Sequence, residues 1–313
     1  MTQPALHPEP MTPAAVRSML YVPGSTPERF PKALASAADL ICLDLEDGVA
    51  PEKKSSARSN VLSYVFGSAD RDRLCVRLNR LASVEGLEDA AALIRAPTRP
   101  GFVMLPKVES PRDTELLGQT LAIGPPCHLL AMIESPRGLE AAFDIARAEH
   151  LSMLVFGSFD YAAETGCLQE WSVLLPVRSR IVAAAASAGK LALDSPFAGL
   201  DDLPGAAAEA RLVQSLGFSG KSTIHPKFVA DINAAFTPTD EELTEARAIV
   251  EAFTAAGGGA LRIGDRFIEA PVARRMQRRL DRAALAHTEP AADGDSVQPS
   301  TNALSLFPSG SRK

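Results

Sequence analysis

The feature that most constrains the fold is a regular alternation of short apolar runs with longer amphipathic segments. Eight runs have the composition and length of strands, namely Met19–Val22, Leu40–Leu43, Leu74–Leu78, Gly101–Leu105, Leu129–Ile133, Met153–Phe156, Lys190–Leu193 and Phe218–Ile224. The segments between them have helical character, and several open on the capping or first-turn residues Ser, Thr, Asp or Pro. Because each strand is followed by a helix, we expect parallel strands.

Eight such units predict an α/β fold, a closed (β/α)8 TIM barrel. The runs I-C-L-D-L and S-M-L-V-F are apolar on both faces, as expected of strands that helices cover. An open, doubly wound sheet is the alternative. Its usual mark, G-x-G-x-x-G after the first strand, is absent, and the chain has Pro23-Gly24-Ser25 at that place.

The composition excludes several classes of function. The chain has 313 residues, 46% hydrophobic, with a net charge of −6 and no sustained basic run, so we expect no nucleic-acid partner. Its longest apolar run is far shorter than the roughly eighteen residues of a membrane span, so we expect no membrane partner. The four cysteines are scattered and form no C-x-x-C pair. Reduced thiols of this kind indicate a cytoplasmic protein.

The sequence divides into four parts. Residues 1–16 are rich in proline and residues 287–313 are polar and of low complexity, so both are predicted to be disordered, as a leader and a tail. Residues 17–236 form the predicted barrel. Residues 237–286 form a predicted C-terminal helical arm, interrupted by a glycine break at 257–259.

Polar and charged residues follow nearly every predicted strand, where an apolar core has no use for them. Because the carboxyl ends of barrel strands meet at one rim, and that rim carries the chemistry of barrel enzymes, we expect these residues to converge there. They are Asp44, Glu46, Asp47, Arg77, Asn79, Lys107, Glu134, Asp160 and Asp194.

Glu134 and Asp160 follow consecutive strands and form the strongest candidate site. Two carboxylates that face one space repel each other unless a cation neutralises them. Two protein carboxylates with several open positions suit Mg²⁺, which keeps waters and accepts substrate oxygens, with Mn²⁺ as an alternative ion. The competing interpretation is that each carboxylate caps the helix after its strand.

Three further features of the predicted rim each have more than one interpretation. Glu46 and Asp47 suit the positioning of metal ligands and their waters, or form a solvated acidic loop. Arg77 suits bidentate binding of a substrate carboxylate, an internal salt bridge to the neighbouring acids, or both. Lys107 suits neutralisation of the acidic cluster or stabilisation of an enolate, with a Schiff base less favoured. We also expect Lys107, Gly157 and Ser158 to contact the substrate.

Seven motifs occur in order: R-S-M-L-Y-V-P-G-S, L-D-L-E-D-G, V-R-L-N, L-P-K-V-E, M-I-E-S-P-R-G, F-G-S-F-D and G-K-S-T-I-H-P. This ordered set resembles the citrate lyase β-subunit-like family of CoA-ester lyases, within the HpcH/HpaI aldolase and citrate lyase superfamily. Malyl-CoA and citramalyl-CoA lyases also belong to this group. The resemblance covers roughly residues 17 to 275 and implies a carbon–carbon lyase of the oxo-acid type.

The resemblance implies a role for each matching residue. Glu134 and Asp160 hold Mg²⁺, with Glu46 and Asp47 nearby, and Arg77 binds the carboxylate of a 2-keto acid. The substrate is a 3-hydroxy-carboxyacyl-CoA such as citramalyl-CoA, malyl-CoA or citryl-CoA, which is split into a 2-keto acid and an acyl-CoA. A homo-oligomer, a trimer or hexamer, is implied. Coenzyme A is expected on Pro23, Gly24, Ser25, Arg29 and Lys32.

The arm departs from the family pattern. Many related lyases carry G-x-x-I-D-x-P, whose aspartate acts as the base in the neighbouring subunit's site. Here the stretch is Arg266-Phe267-Ile268-Glu269-Ala270-Pro271, so we expect Glu269 in the catalytic position. Its extra methylene displaces the carboxylate by roughly 1 Å or more, enough to lower a rate substantially. The alternative is that Glu269 is a solvated residue at the start of the last helix.

Two other functions fit the same residues. A thioesterase of malyl-CoA type would aim water at the thioester, which a displaced Glu269 could permit. A non-catalytic CoA-binding subunit of a lyase complex is the second alternative, although it would have no use for the Glu134 and Asp160 pair. For His225 we expect a structural or pocket role, since no catalytic spacing accompanies it.

Overall fold

The computed structural model describes residues 11–286, and eight parallel strands form the closed barrel that the sequence predicts. The strands are β1 (Ser18–Pro23), β2 (Leu40–Asp44), β3 (Leu74–Arg77), β4 (Phe102–Leu105), β5 (His128–Ile133), β6 (Leu151–Phe156), β7 (Leu191–Asp194) and β8 (Gly220–Thr223). Each pairs with its sequence neighbours, and β8 pairs with β1. All eight predicted strands are confirmed.

Helices surround the barrel in the expected alternation. They are α1 (Phe30–Leu34), α2 (Lys54–Gly67), α3 (Val84–Arg95), α4 (Pro111–Leu121), α5 (Pro136–Ala146), α6 (Ser158–Thr165), α7 (Trp171–Ser187) and α8 (Leu203–Leu216). Sequence analysis missed α6, a short helix that begins directly after β6 and ends at Gly166, whose φ of 73° is left-handed. This helix matters because it carries Asp160.

The two-residue period of the strands separates two apolar layers. One set of side chains fills the barrel interior, including Met19, Leu40, Cys42, Cys75, Phe102, Met104, Met132 and Val155. The alternate set packs against the surrounding helices, including Leu20, Ile41, Leu43, Val76 and Phe156. Because successive side chains point to opposite faces, the last residue of each strand faces either the barrel axis or the helices, according to its register.

Asp194 shows this rule and corrects one prediction. It follows Leu193, an interior residue, so its own side chain points outward and is fully buried under the helices. There it contacts Arg178 of α7 at 2.9 Å and Lys221 of β8 at 2.7 Å. These cations outweigh burial and lower the pKa of Asp194. Asp194 therefore belongs to a buried ion network and does not face the open rim as predicted.

The helix α9 (Val229–Phe236) follows β8 and packs its buried side chains into the barrel core, and the arm then runs from α10 (Asp240–Ala255) through a hairpin, β9 (Leu261–Ile263) and β10 (Arg266–Ile268), to α11 (Ala270–Ala286). Sequence analysis missed the hairpin, whose two-residue turn begins at Gly264 with a φ of 59°. Arg282 of α11 donates a hydrogen bond to the carbonyl of Ser219, just before β8. The end of the arm therefore docks on the N-terminal rim of its own barrel, opposite the carboxyl ends.

The chain termini differ from expectation in one respect. The leader was predicted over residues 1–16, but residues 11–16 contain the short helical turn Pro13–Ala15 and the fully buried Val16. Predicted disorder in residues 1–10 and 287–313 lies outside the described residues. Within residues 11–286, no helix has the length and apolarity needed to cross a membrane.

We predict that Asp194→Ala destabilises the protein by about 3–5 kcal/mol, because the buried cations of Arg178 and Lys221 then share one carboxylate, that of Glu209, in place of two. Chemical denaturation of the purified protein measures the change. Asp201→Ala is the control, since the Asp201 side chain is fully exposed, and its effect on the free energy of unfolding should be far smaller than that of Asp194→Ala. Equal effects of the two substitutions would contradict the structural role of the network.

Candidate active site

A bidentate ion pair between β2 and β3 forms the base of the candidate site. Asp44 and Arg77 are register partners, and both continue the interior side-chain set of Cys42 and Cys75. The Nε and Nη2 atoms of Arg77 each lie 2.7 Å from one oxygen of Asp44. Burial alone would raise the pKa of Asp44, but Arg77 and two backbone N–H groups lower it.

Asp44 also shapes the acidic loop that follows it. Its two oxygens accept hydrogen bonds from the backbone N–H groups of Glu46 and Gly48, both at 2.9 Å. A Cβ atom at position 48 would lie 2.5 Å from Asp44 Oδ2, so this close approach requires glycine. The pair with Arg77 and the shape of the L-E-D-G loop therefore depend on the same carboxylate.

Lys54, at the start of α2, fixes the L-E-D-G loop through hydrogen bonds from its amine. Its Nζ donates to the carbonyls of Leu45 and Glu46, at 2.8 and 2.6 Å, and to Asn79 Oδ1 at 2.7 Å. Asn79 in turn donates to Asp89 of α3. The predicted rim residue Asn79 is therefore buried and supports the loop. Sequence analysis did not single out Lys54, and no motif or spacing marks it.

Arg77 has a second acidic partner and an aromatic one. Its Nη1 lies 2.9 Å from Glu46 Oε2, and its guanidinium carbon lies 5.0 Å from the centre of the Tyr21 ring. The internal salt bridge that sequence analysis left open is thus present. Tyr21 was missed, although its two-residue spacing from the interior residue Met19 indicated the same face.

Lys107 lies among three carboxylates on the rim. Its Nζ is 3.0 Å from Glu46, 3.5 Å from Asp160 and 3.6 Å from Asp47. Burial would lower the pKa of Lys107, but these carboxylates outweigh it and raise the pKa. The amine is therefore a cation at neutral pH, which favours charge neutralisation and argues against Schiff-base chemistry.

Glu134 has one oxygen occupied and one free. The backbone N–H of Lys107, which has a φ of 50°, donates to Oε1 at 2.6 Å. The buried Oε2 atom has no hydrogen-bond partner among the described residues. Burial, assisted by the charges of Glu46 and Asp160, raises the pKa of Glu134 to about 8. A buried carboxylate with a free oxygen and a raised pKa is stabilised in its charged form by a bound cation.

The arrangement fits a divalent ion on Glu134 and Asp160. Asp160, in the first turn of α6, is partly exposed, and its charge is close enough to affect Glu134. A Cβ atom at position 157 would lie 2.5 Å from Glu134 Oε2, so any residue other than glycine would displace the Glu134 carboxylate. The described residues contain no cluster of three or more His, Cys, Asp or Glu side chains suited to a metal. Two carboxylates would leave most coordination positions of the ion open to water and substrate oxygens, which is the pattern that Mg²⁺ prefers.

The remaining predicted residues fall into two groups. Gly24 is tied to the end of β2 through its N–H, which donates to the Asp44 carbonyl at 2.7 Å, and Arg29 and Lys32 are exposed beyond it. Ser158 is buried, and its hydroxyl donates to Gln169 at 3.1 Å. This contact, which sequence analysis missed, connects the start of α6 with the segment before α7.

Two residues lie apart from the rim cluster. Glu269 is exposed between β10 and α11, and its carbonyl accepts the N–H groups of Val272 and Ala273. No described contact connects it with the rim of its own barrel. His225 accepts a hydrogen bond from the backbone of Lys227 through Nδ1, so it caps the turn after β8, as a structural role requires.

A closed parallel barrel with a charged cluster at its carboxyl rim is the arrangement of a barrel enzyme. A family model described as HpcH/HpaI aldolase/citrate lyase matches residues 17–226. The citrate lyase subunit beta of Escherichia coli (strain K12) is 34% identical over 284 residues, 86% of this chain and 93% of that protein. The L-malyl-CoA/beta-methylmalyl-CoA lyase of Cereibacter sphaeroides (strain ATCC 17029 / ATH 2.4.9) is 35% identical over 269 residues, 77% and 85% respectively.

A solved structure agrees with these matches. The protein CitE from Mycobacterium tuberculosis, in complex with magnesium, acetoacetate and coenzyme A, is 33% identical and superposes with a TM-score of 0.74. The match covers 87% of this chain and 99% of that one. The chain belongs to the HpcH/HpaI aldolase/citrate lyase family.

The raised pKa of Glu134 predicts a pH effect on the metal-free protein. Between about pH 4.5 and 8 the unfolded chain ionises Glu134 while the folded protein keeps it protonated, so stability falls as pH rises. We expect wild type to lose roughly 2–5 kcal/mol more than Glu134→Gln over this range. Denaturation in a chelating buffer at several pH values measures the difference.

Glu140→Gln is the matched control, because Glu140 is exposed on the same helix that follows β5. It should keep the wild-type pH dependence. The interpretation fails if the stability curves of wild type and Glu134→Gln remain parallel from pH 5 to pH 8.

Proposed function

We propose that the chain is a Mg²⁺-dependent carbon–carbon lyase that splits a 3-hydroxy-carboxyacyl-CoA into a 2-keto acid and an acyl-CoA. The observation that carries the proposal is the free, buried Oε2 of Glu134 beside Asp160 at the carboxyl rim. Membership of the family supports it. The candidate substrates are citramalyl-CoA, malyl-CoA and citryl-CoA.

In this proposal Glu134 and Asp160 hold the ion, whose Lewis acidity would polarise the carbonyl of the keto acid. Mn²⁺ is the alternative ion for the same oxygen ligands. Glu46 contacts both Arg77 and Lys107, at 2.9 and 3.0 Å, and so orients two cations above the barrel axis. Asp47, 3.6 Å from Lys107, adds a further carboxylate beside the ion for its waters.

Arg77 is proposed to bind the carboxylate of the keto acid. Nε and Nη2 are engaged by Asp44 and Nη1 by Glu46, so the guanidinium is fixed before a substrate arrives. A fixed cation stabilises a substrate carboxylate with little further ordering. Lys107, Gly157 and Ser158 are the remaining proposed substrate contacts.

The bond changes in cleavage follow from the substrate. The 3-hydroxyl group loses its proton and becomes the ketone, the bond between C2 and C3 breaks, and its electron pair passes to C2, the carbon alpha to the thioester carbonyl, which becomes an enolate. A proton must then reach that carbon from a nearby acid. We propose Glu269 for this step, supplied by a neighbouring subunit, because no described contact brings it to its own rim.

Coenzyme A is proposed to bind at the loop after β1. Gly24 lies beside the rim through its bond to the Asp44 carbonyl, and Pro23 and Ser25 flank it. Arg29 and Lys32 are exposed and carry the positive charge that phosphate groups require. The structural relative CitE was solved with coenzyme A, magnesium and acetoacetate bound, which supports this class of ligand here.

Two alternatives use the same site. A malyl-CoA-type thioesterase would release free CoA and leave the hydroxy acid whole, and a displaced Glu269 carboxylate would permit it. A non-catalytic CoA-binding subunit of a lyase complex would not need the free oxygen of Glu134. For the lyase we propose a homo-oligomer, a trimer or hexamer, in the cytoplasm, with no nucleic-acid or membrane partner.

We predict that the purified protein, with Mg²⁺, forms pyruvate, glyoxylate or oxaloacetate together with acetyl-CoA from at least one of citramalyl-CoA, malyl-CoA and citryl-CoA. A chelator should abolish product formation. Glu134→Gln and Asp160→Asn should each lower kcat/KM about a hundredfold or more, because each removes a ligand of the ion. Coupled assays of the keto acid measure the rate.

Asp144→Asn is the control, since Asp144 is an exposed acid on α5 that pairs with Arg147 at the surface, and it should retain wild-type turnover. Free CoA with an intact hydroxy acid would identify a thioesterase. Absence of both products would favour the non-catalytic subunit.

The arm generates a separate prediction. Glu269→Gln should lower turnover about a hundredfold or more, because a glutamine cannot donate the proton that the enolate carbon requires. Glu269→Asp should retain far more activity than Glu269→Gln, since it keeps a carboxylate. Glu251→Gln, at an exposed acid of α10, should leave turnover unchanged.

Mixing inactive subunits tests whether Glu269 acts across an interface. Glu269→Gln and Glu134→Gln proteins should together regain activity after subunit exchange. Some sites then combine the intact Glu134 of one subunit with the intact Glu269 of its neighbour. Full activity of Glu269→Gln alone would remove Glu269 from the mechanism.

A further inference from the structure

Asp160, one of the two proposed ligands of the ion, lies on a helix that has little packing of its own. The helix α6 spans eight residues, and only Ser158 and Ala162 of it are buried. An isolated helix of this length is unstable in water, so its position depends on contacts made by the surrounding chain. Glu134 differs, since it directly follows β5 and accepts a backbone hydrogen bond on Oε1. The two proposed ligands therefore depend on different supports.

Arg178 of α7 contacts two aromatic rings that bound the segment carrying Asp160. Phe156 is the last residue of β6, and Trp171 is the first residue of α7. The guanidinium carbon of Arg178 lies 5.6 Å from the centre of the Phe156 ring and 4.9 Å from the centre of the Trp171 ring. Residues 157–170, which include α6, therefore begin and end next to one side chain.

The guanidinium of Arg178 is itself fixed in place. Its side chain is 3% exposed, and its Nε lies 2.9 Å from Asp194 Oδ1. Its Nη1 atom is buried and has no hydrogen-bond partner among the residues that the structure describes. The two rings therefore give this buried cation stabilisation that a further acceptor would otherwise supply. Loss of the guanidinium would remove a contact from both rings at once.

A hydrogen bond closes the same segment. The hydroxyl of Ser158, at the first position of α6, donates to Gln169 Oε1 at 3.1 Å. Gln169 lies two residues before Trp171, so a displacement of the Trp171 ring would act on the start of α6 through this bond. Asp160 lies two residues after Ser158, within the same helical turn. A path of contacts therefore leads from Arg178 to Asp160.

We propose that Arg178 is a positioning residue for the metal site. By fixing the two rings it holds α6 where Asp160 can share an ion with Glu134. The inference rests on the proposed function, and it gives a role in the metal site to a buried side chain outside the rim cluster. Residues that orient metal ligands without touching the ion typically change metal affinity about 10–100-fold when they are altered.

Mn²⁺ binding, followed by electron paramagnetic resonance, tests the proposal without relying on turnover. Arg178→Lys keeps a cation beside Asp194 but loses the flat guanidinium that stacks on the rings, so the Kd of Mn²⁺ should rise about tenfold. Trp171→Leu leaves the ion pair intact and should raise the Kd similarly. Trp171→Phe should restore most of the affinity, because a ring remains. Wild-type affinity in both Arg178→Lys and Trp171→Leu would overturn the proposal.

Acrylamide quenching of tryptophan fluorescence reports the ring contact itself. Trp171 is the only tryptophan of the chain, so the quenching constant describes this ring alone. Arg178→Lys should raise the quenching constant and weaken Mn²⁺ binding together. A higher quenching constant with unchanged Mn²⁺ affinity would show that Arg178 serves the fold alone, and would overturn the proposal.

Ile181→Val is the matched control for stability, because Ile181 is fully buried in the apolar core on the same helix as Arg178. It should lower the melting temperature and leave the Kd of Mn²⁺ unchanged. A loss of affinity in Ile181→Val equal to that in Arg178→Lys would assign the effect to general destabilisation and reject the role of Arg178.

Turnover of the thioesters distinguishes this proposal from the function on which it rests. Excess Mg²⁺ should restore most of the turnover lost in Arg178→Lys, whereas Asp160→Asn should remain impaired. Weaker Mn²⁺ binding by Arg178→Lys, with no cleavage of any thioester by wild type, would retain the role of Arg178 and reject the lyase. Cleavage by wild type, with unchanged Mn²⁺ affinity in Arg178→Lys, would retain the lyase and reject the role of Arg178. Absence of Mn²⁺ binding by wild type would reject both.

Discussion

The bidentate pair between Asp44 and Arg77 is the contact on which the rest of the site depends. Both side chains are largely buried, and two charges in such a place are stable only when they are paired and hydrogen-bonded. Asp44 also accepts two backbone N–H groups of its loop, and Arg77 also contacts Glu46. The position of Glu46, and through it that of Lys107, thus follows from one contact between adjacent strands.

The two-residue period of the strands assigns the buried charges to two tasks. Asp44, Arg77 and Glu134 continue interior positions, so they meet above the packed barrel axis and are available for chemistry. Asp194 and Lys221 occupy the alternate phase and are register partners, so they meet under the helices and stabilise the fold. Charged residues at the ends of strands therefore belong either to the site or to the scaffold. Which of the two depends on whether the residue occupies an inward-facing or an outward-facing position of its strand.

Much of this arrangement could be predicted from the sequence because it follows from local pattern. Strand–helix alternation predicted the barrel, and strand ends predicted that Glu134, Asp160 and Lys107 would meet. The prediction for Asp194 was wrong because it considered only that the residue ends a strand, and not which face of the strand its side chain occupies. Lys54 and Gln169 were missed because their contacts join different loops and helices, which no spacing rule connects, whereas Tyr21 was missed although its spacing from Met19 indicated an interior side chain. The choice of partners for Arg77 also required three-dimensional distances.

Binding of Mn²⁺, followed by electron paramagnetic resonance, tests the central claim most directly, because it reports the ion on Glu134 and Asp160 independently of any substrate. The account predicts one tightly bound ion per wild-type chain, lost in Glu134→Gln and in Asp160→Asn, and retained in Glu140→Gln. Mn²⁺ bound by Glu134→Gln as tightly as by wild type would contradict it, since the free oxygen of Glu134 would then have no part in holding a metal.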